Sequence, residues 1–394
     1  MLPSLLLALC LPPTLADSQR PPADRVSSLR SVTYYQFGVE LEDADIGLLK
    51  RHIARAKDVG FNGMWLVVTW KSLSPVALPQ PRLNDAAWDR LDAIIVALSK
   101  EGFSIIIPLG YFGRGWSPQG IDDQRHAEWI LDDSLWNAFE DHVLRFTRRY
   151  AHRDNILWMF YTESFQGPIA AYKDLELAEE SFRRYCRRTN AEIAHWNQRW
   201  GADYASFDDI GMADGRIAKH AARWEDHWRW VCSVLRARYG ALTRKMKTDV
   251  AVRGLVGFHD NAMITMDWAK GDTPIPDDNP YDYLSFTAYL GKDQAVEDRL
   301  EEVAQVHSRF RHRYPDVPLM IGETGVPTLV RDEATQAEYL ATIARYAKAN
   351  SLGINIWMWQ DFKGSTEEQR SFGLLRLDGT DKPAVEALRK AFAK

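Results

Sequence analysis

The chain has 394 residues, 46% of them hydrophobic and 26% charged, and carries a formal net charge of −5. That mild acidity argues against nucleic acid or an anionic membrane as a main partner, and the composition is that of a globular protein with a sizeable core. Tryptophan is abundant, 15 residues beside 15 Tyr and 16 Phe; flat indole faces suit either a bulky core or stacking on the C–H faces of sugars.

Residues 1–16, MLPSLLLALCLPPTLA, form a short apolar run that ends in Thr14-Leu15-Ala16. The pattern predicts a secretory signal, too short to span a bilayer, and hence a secreted or periplasmic protein. No later segment is long and apolar enough to cross a membrane, so no transmembrane segment is expected. Residues 17–32 read as a Pro-, Ser- and Arg-rich leader, and residues 33–394 as one domain. Of the three cysteines, Cys186 and Cys232 lie in that domain, where they can form one disulfide or stay as two buried thiols. Nothing in the sequence fixes an oligomeric state.

Strand-like and helix-like patterns then alternate to the end. Thr33–Leu41 predicts a first strand and Asp45–Val59 a helix capped by Asp45. Phe61–Thr69 is a second strand. Asn84–Glu101 is a helix with Trp88, Leu91, Ile94, Ile95 and Leu98 on one face. Phe103–Leu109 is a nearly continuous apolar run, as in a strand buried on both sides. A helix over Asp132–Ala151 and a fourth strand, Ile156–Thr162, follow. Ser164–Lys247 is a long helical excursion rich in Arg, Trp and Tyr, whose last part, from His220, returns to the main body. Strands are then predicted over Asp249–Phe258, Tyr283–Tyr289, Leu319–Glu323 and Ile354–Trp359, with helices between them and a closing helix over Lys382–Phe392. Eight such units in one series predict an α/β fold, a (β/α)8 TIM barrel with a helical insertion after strand 4. A doubly wound open sheet would need a Gly-rich phosphate turn after an early strand, and the sequence has none.

The chemistry is read from two strand ends. Ile156-Leu-Trp-Met-Phe-Tyr-Thr-Glu163 and Pro318-Leu-Met-Ile-Gly-Glu323-Thr-Gly325 each place a carboxylate where an apolar strand stops. In a barrel of parallel strands the C-terminal strand ends carry the site. Glu163 and Glu323 lie three barrel units apart and can face each other across the opening. Such a pair suits glycoside hydrolysis: one group protonates the leaving oxygen while the other attacks the sugar carbon or activates water. A separation of about 5–5.5 Å would make a retaining enzyme, about 6.5–9.5 Å an inverting one. Each glutamate alone could equally be a solvated or capping residue. Trp70, Tyr111, Trp116 and Trp359 stand near strand ends and can be sugar platforms or rim packing. Asp272, Asp277 and Asp278 fall in a loop without EF-hand spacing, and His195, His220 and His259 show no metal-ligand spacing. No metal and no cofactor is expected, and no Gly-X-Ser-X-Gly elbow is present.

With these residues in place, the sequence resembles the clan A glycoside hydrolases, (β/α)8 barrels with the acid/base on strand four and the nucleophile on strand seven. The resemblance covers residues 33–393 and implies Glu163 as acid/base and Glu323 as nucleophile. It implies Tyr289, ending strand six, as a hydrogen-bond partner of the nucleophile, and Trp357, in Gly353-Ile-Asn-Ile-Trp-Met-Trp-Gln-Asp-Phe362, as the floor of the sugar site. Gly373-Leu-Leu-Arg-Leu-Asp-Gly-Thr-Asp-Lys-Pro-Ala384 is similar to the clan's common ending. Trp65–Pro75 is locally similar to families 35 and 42, with Ser74 in place of their Glu, and His195-Trp-Asn-Gln-Arg-Trp-Gly201 to family 42 β-galactosidases. Two positions depart from the clan pattern. Thr162 stands where an Asn normally contacts the sugar 2-hydroxyl, and Thr287 stands where many members have His. The implied function is a retaining β-glycoside hydrolase acting on an oligo- or polysaccharide. A non-catalytic carbohydrate-binding protein on a degenerate barrel and a hydrolase specific for one exopolysaccharide are the alternatives.

Overall fold

In the computed structural model, residues 22–34, 41–78, 80–109, 118–119, 130–161, 176–212, 222–260, 273, 275–363 and 366–393 are described. Eight strands follow one another around a closed barrel: β1 (Arg30–Tyr34), β2 (Gly63–Leu66), β3 (Ser104–Leu109), β4 (Ile156–Tyr161), β5 (Leu255–Asp260), β6 (Tyr283–Thr287), β7 (Leu319–Thr324) and β8 (Gly353–Ile356). Every neighbouring pair is parallel, and β8 closes on β1 with Ser31 opposite Asn355. The predicted (β/α)8 barrel is therefore the observed one.

The helices are α1 (Pro22–Ser27), α2 (Ile46–Val59), α3 (Trp70–Leu73), α4 (Asp85–Lys100), α5 (Asp133–Arg149), α6 (Glu176–Thr189), α7 (Ile193–Trp200), α8 (Ala222–Thr248), α9 (Val296–Arg313), α10 (Glu333–Ala349) and α11 (Pro383–Ala393). Their starts follow from capping chemistry. Asp45, Asn84, Asp132 and Asp332 each accept a backbone N–H of the first turn, satisfying donors the helix cannot pair internally.

Strand residues alternate between two cores. Val32, Met64, Ile105, Ile107, Trp158, Phe160, Val256, Phe258, Phe286, Ile321 and Ile354 face outward into the layer shared with the helices. Trp65, Ile106, Leu157, Met159, Leu255, Tyr283 and Met320 face inward and form a separate apolar plug. Val26 and Leu29 complete that plug from below. Residues 22–32, expected to lead into the fold, thus contribute α1 and most of β1. A Cβ on Gly353 would sit 2.4 Å from the Val26 carbonyl oxygen, so β8 leaves room for this segment only by having no side chain there.

The fifth strand lies later than its sequence pattern suggests. Val250 and Val252 look strand-like, but the N–H groups of Asp249 and Val250 bond to Lys245 O, and that of Val252 to Met246 O, closing off α8. Ala251 adopts a left-handed φ of 56°. Pairing begins only at Leu255, and His259 is carried into the strand.

The excursion packs α6, α7 and α8 around aromatic rings. Phe182 stacks on His227 with centroids 3.9 Å apart and also meets Trp200 and Trp230. Farther along α8, Tyr239 joins this unit to the barrel by packing on Phe160 and Trp136. Cys186 and Cys232 are both buried and are not joined to each other, and burial pushes the Cys186 thiol up to about 12.

Candidate active site

The site is organised by an irregularity in β7. Against β6, the step from Phe286 to Thr287 is matched by Ile321 to Glu323; against β8, Ile354 to Ile356 is matched by Ile321 to Thr324. One extra residue is therefore accommodated at Gly322–Glu323, as in a β-bulge, which re-aims side chains near sites. The consequence is visible on both faces. Ile321 lies in the outer core, and Thr324 also turns outward, its hydroxyl 3.2 Å from the Tyr339 hydroxyl on α10. Strict alternation counted on from Ile321 would leave Glu323 facing the helices. Its carboxylate instead accepts a hydrogen bond from Tyr289 Oη at 3.2 Å, and Glu323 is 2% exposed.

Tyr289 is held by the same stitching. Ala288 N donates to Glu323 O at 2.7 Å, Thr324 Oγ1 donates to Ala288 O at 2.7 Å, and Leu290 N donates to Gly325 O. The phenol ring lies 5.3 Å from the Phe372 ring. Trp357, Met358, Phe362 and Phe372 form an apolar cluster of their own on which Tyr289 packs. Trp357 is fixed by its N–H to Thr324 O at 2.8 Å. The structure thus brings Glu323, Tyr289 and Trp357 to one rim.

Under Glu323 lies a polar layer above the apolar plug. Asn355 on β8 donates Nδ2–H to Gly322 O at 3.0 Å and to Thr33 Oγ1 at 2.8 Å, while its Oδ1 accepts from Ser31 Oγ at 2.9 Å. On the opposite side, His259 is fully buried, with Nδ1 2.8 Å from Ser285 Oγ and Nε2 3.0 Å from Thr287 Oγ1. A Cβ on Gly322 would lie 1.9 Å from Ser285 Oγ and 2.6 Å from His259 Nδ1. Only a residue without a side chain at 322 allows these two groups to approach so closely. Thr287, read as a departure from the resembled pattern, has the His259 imidazole of β5 as its neighbour.

A buried ion pair secures the segment carrying Phe372. Lys382 Nζ, with its side chain 1% exposed, lies 2.8 Å from Asp361 and also donates to Ser371 O and Thr328 Oγ1. Asp361 in turn accepts the Gly373 N–H at 2.7 Å. Burial raises the Asp361 carboxyl and lowers the Lys382 ammonium, and their mutual attraction opposes both shifts.

Two of the expected sugar platforms lie elsewhere. Trp70 is 5% exposed, stacked on His142 and tilted against Phe139 of α5. Trp359 is fully buried, edge-on to His52 of α2 and to Phe61. Both rings fill the helix-side core, so neither offers a face to a ligand. Thr162, Glu163, Tyr111 and Trp116 lie outside the described residues. Among the described residues, no group of three or more His, Cys, Asp or Glu is arranged to hold a metal, and no helix is long and apolar enough to cross a membrane.

Sequence reasoning did not single out Asn355, Ser285 or the Asp361–Lys382 pair, and weighed His259 only as a metal ligand. The strand-eight Asn within Ile354-Asn-Ile356 was a usable sign, since a polar residue between two apolar ones marks an inward position.

No family profile and no curated protein matches the sequence. Solved structures do match. A β-galactosidase from the psychrophilic Marinomonas ef1 superposes with a TM-score of 0.67 at 16% identity, over 92% of this chain and 58% of that one. A cold-adapted β-galactosidase from Rahnella sp. R3 gives 0.70 at 14% identity, over 95% and 57%. A GH5_18 protein from Streptomyces cattleya, in complex with GlcNAc, gives 0.59 at 16% identity, over 93% and 80%. The chain thus spans under two thirds of the length of these β-galactosidases. What it shares with all three is the barrel fold.

Proposed function

We propose that the protein is a retaining β-glycoside hydrolase acting on an oligo- or polysaccharide, with Glu323 as nucleophile and Glu163 as acid/base. The observation that carries the reading is the turn of Glu323 out of strand alternation, onto the Tyr289 hydroxyl and beside Trp357. A carboxylate buried in this way is costly unless it is used or paired. Tyr289 satisfies one oxygen and orients the other for attack. The fold similarity to β-galactosidases and a GH5_18 protein supports the same class.

In this mechanism Glu323 attacks the anomeric carbon while Glu163, two residues beyond the end of β4, protonates the departing oxygen. Water then hydrolyses the glycosyl ester, with Glu163 acting as base. In this reading Trp357, 6% exposed within its apolar cluster, is the floor beneath the apolar side of the sugar ring. Carbohydrate is the partner, and the secretory reading of residues 1–16 is part of the proposal.

The test is a panel of aryl β-glycosides followed with the parent and with Glu323→Gln. The parent releases phenol and the variant loses at least about 10³-fold in kcat. NMR of the first-formed sugar shows the β anomer; the α anomer overturns the two-step route. Azide restores turnover to Glu163→Ala on substrates with good leaving groups. Binding without any product, on both aryl glycosides and polymers, selects the carbohydrate-binding alternative. Product from long polymer alone selects the polymer-specific hydrolase.

A further inference from the structure

The buried side chain with the most unexplained chemistry is His259. Its ring lies in the barrel interior, edge-on to Trp65, with both nitrogens on hydroxyls of the next strand. A purely space-filling role does not require an imidazole: the layer beneath is filled by Leu, Ile, Met, Trp and Tyr. Both partners, Ser285 and Thr287, are inward residues of β6, and Thr287 is the register partner of Glu323. Adjacent strands run about 4.8 Å apart, so the Thr287 side chain stands next to the Glu323 segment. Ala288 N, one residue on, holds Glu323 O.

A neutral imidazole has one donor and one acceptor, whereas each hydroxyl can do either. The chain Ser285–His259–Thr287 therefore has two complete proton arrangements. In the first, Ser285 donates to Nδ1 and Nε2–H donates to Thr287 Oγ1, so the Thr287 proton points onward. In the second, Thr287 donates to Nε2 and Nδ1–H donates to Ser285, so Thr287 presents a lone pair.

We infer that His259 is a positioning residue, which acts through Thr287 to orient one hydroxyl beside Glu323 and, through its packing on Gly322, to hold the bulge that aims the carboxylate. The inference rests on the glycosidase reading above. In the first arrangement Thr287 is a donor suited to the carboxylate state of Glu323; in the second it tolerates the neutral glycosyl ester. Both arrangements hold the same three protons, but passing from one to the other releases a proton at Thr287 and takes one up at Ser285, so the donor arrangement of Thr287 is the one that serves the Glu323 carboxylate.

The experiment measures the rate at which a 2-deoxy-2-fluoro-β-glycoside with a good leaving group labels Glu323, read by intact mass and peptide mapping, in the parent, Thr287→Val, His259→Gln, His259→Leu and the Thr287→Val/His259→Gln double variant. Thr287→Val keeps shape and removes only the hydroxyl, so it remains informative if His259→Leu does not fold. Thr287→Val is expected to label about tenfold more slowly or worse, as for a lost hydrogen bond to a charged group, with KM for aryl glycosides changed less than about threefold. The double variant is expected to be no slower than the slower single, because both changes cut one chain. His259→Gln, whose amide can still reach Thr287, should retain more activity than His259→Leu. Multiplicative losses in the double variant, or singles that lower Tm while labelling at the parent rate, overturn the inference and leave the glycosidase reading standing. A parent that neither turns over nor labels overturns that reading, and this inference with it.

Discussion

Two buried polar clusters in this molecule are built on opposite chemical plans. Beneath Glu323 the barrel uses hydroxyls, an amide and an imidazole: Ser31, Thr33, Asn355, Ser285 and His259 in a fully buried layer, with Thr287 at its edge. Within the excursion the cluster is ionic. Asp226, 3% exposed, accepts from Arg199 Nε at 2.6 Å, Trp200 Nε1 at 2.8 Å and Arg229 Nη1 at 3.0 Å, and the arginine side chains stay 30% and 29% exposed. The difference follows from desolvation. Hydroxyls and amides can be fully buried once hydrogen-bonded, whereas a buried charge also needs an opposite charge beside it. The barrel thus fixes backbone around the buried carboxylate of Glu323 with hydroxyls and an amide. The excursion uses charge to staple helices together.

The largest expected effect comes from breaking the ionic cluster. Asp226→Ala leaves two arginines and the Trp200 N–H without their shared acceptor, and should cost about 3–5 kcal/mol, as for removal of one partner from a buried pair. Chemical denaturation measures this, and turnover per folded molecule should stay at the parent value. A fall in kcat with unchanged stability would move the cluster into the working site and erase the contrast.

Acid should find the same region next. Burial pushes the His227 pKa down to about 4 from 6.5, against the opposing effect of its Arg223 carbonyl contact. Its Nδ1 lies 2.7 Å from that carbonyl and must donate to it, and the ring is stacked on Phe182. The unfolded chain binds a proton on this histidine below about pH 6.5 and the folded chain does not until about pH 4. Stability is therefore full above pH 6.5 and declines as pH falls towards 4, by about 3 kcal/mol at most. His52 and His142, lowered by burial to about 4 and about 3, act in the same direction. His227→Gln should flatten the acid limb of a Tm-against-pH curve; an unchanged slope would assign that limb to other groups.

Much of the barrel was legible because strand and helix periods are local properties of the chain. Leu319–Glu323 and Ile156–Thr162 announced themselves as apolar runs with a carboxylate at the end, and the first was found as a strand over Leu319–Thr324. What could not be read was which way a side chain faces once neighbours intervene. Trp357 and Trp359 look alike in sequence, yet one joins the rim cluster and the other the helix layer. The bulge at Gly322–Glu323 exists only relative to β6 and β8. His259 was hidden because Val250 and Val252 drew the predicted strand forward, away from the position where an imidazole would meet β6.

Within the barrel cluster, Gly322→Ala sharpens the comparison. The new Cβ would have to displace Ser285 Oγ and His259 Nδ1 from 1.9 and 2.6 Å. Overpacking of this kind costs about 1–3 kcal/mol, and here it should also lower kcat, because the displaced side chains hold the bulge. Stability loss without loss of turnover would show that the bulge holds Glu323 unaided.

The smallest effect is the most discriminating. Ser31 stands at the far end of the polar layer and reaches Glu323 only through Asn355 and the Gly322 carbonyl. Ser31→Ala removes its donor to Asn355 Oδ1 and a weaker one to Ile354 O, a change worth about 1 kcal/mol of stability. The Asn355 amide then keeps its bonds to Thr33 and Gly322 but loses the contact that fixes its rotation. If the layer positions the carboxylate, kcat on an aryl glycoside falls severalfold while KM holds, and the same variant made on Gly322→Ala adds little further loss. If kcat is unchanged, the polar layer serves stability alone, and the aim of Glu323 rests on the bulge and the Tyr289 hydroxyl.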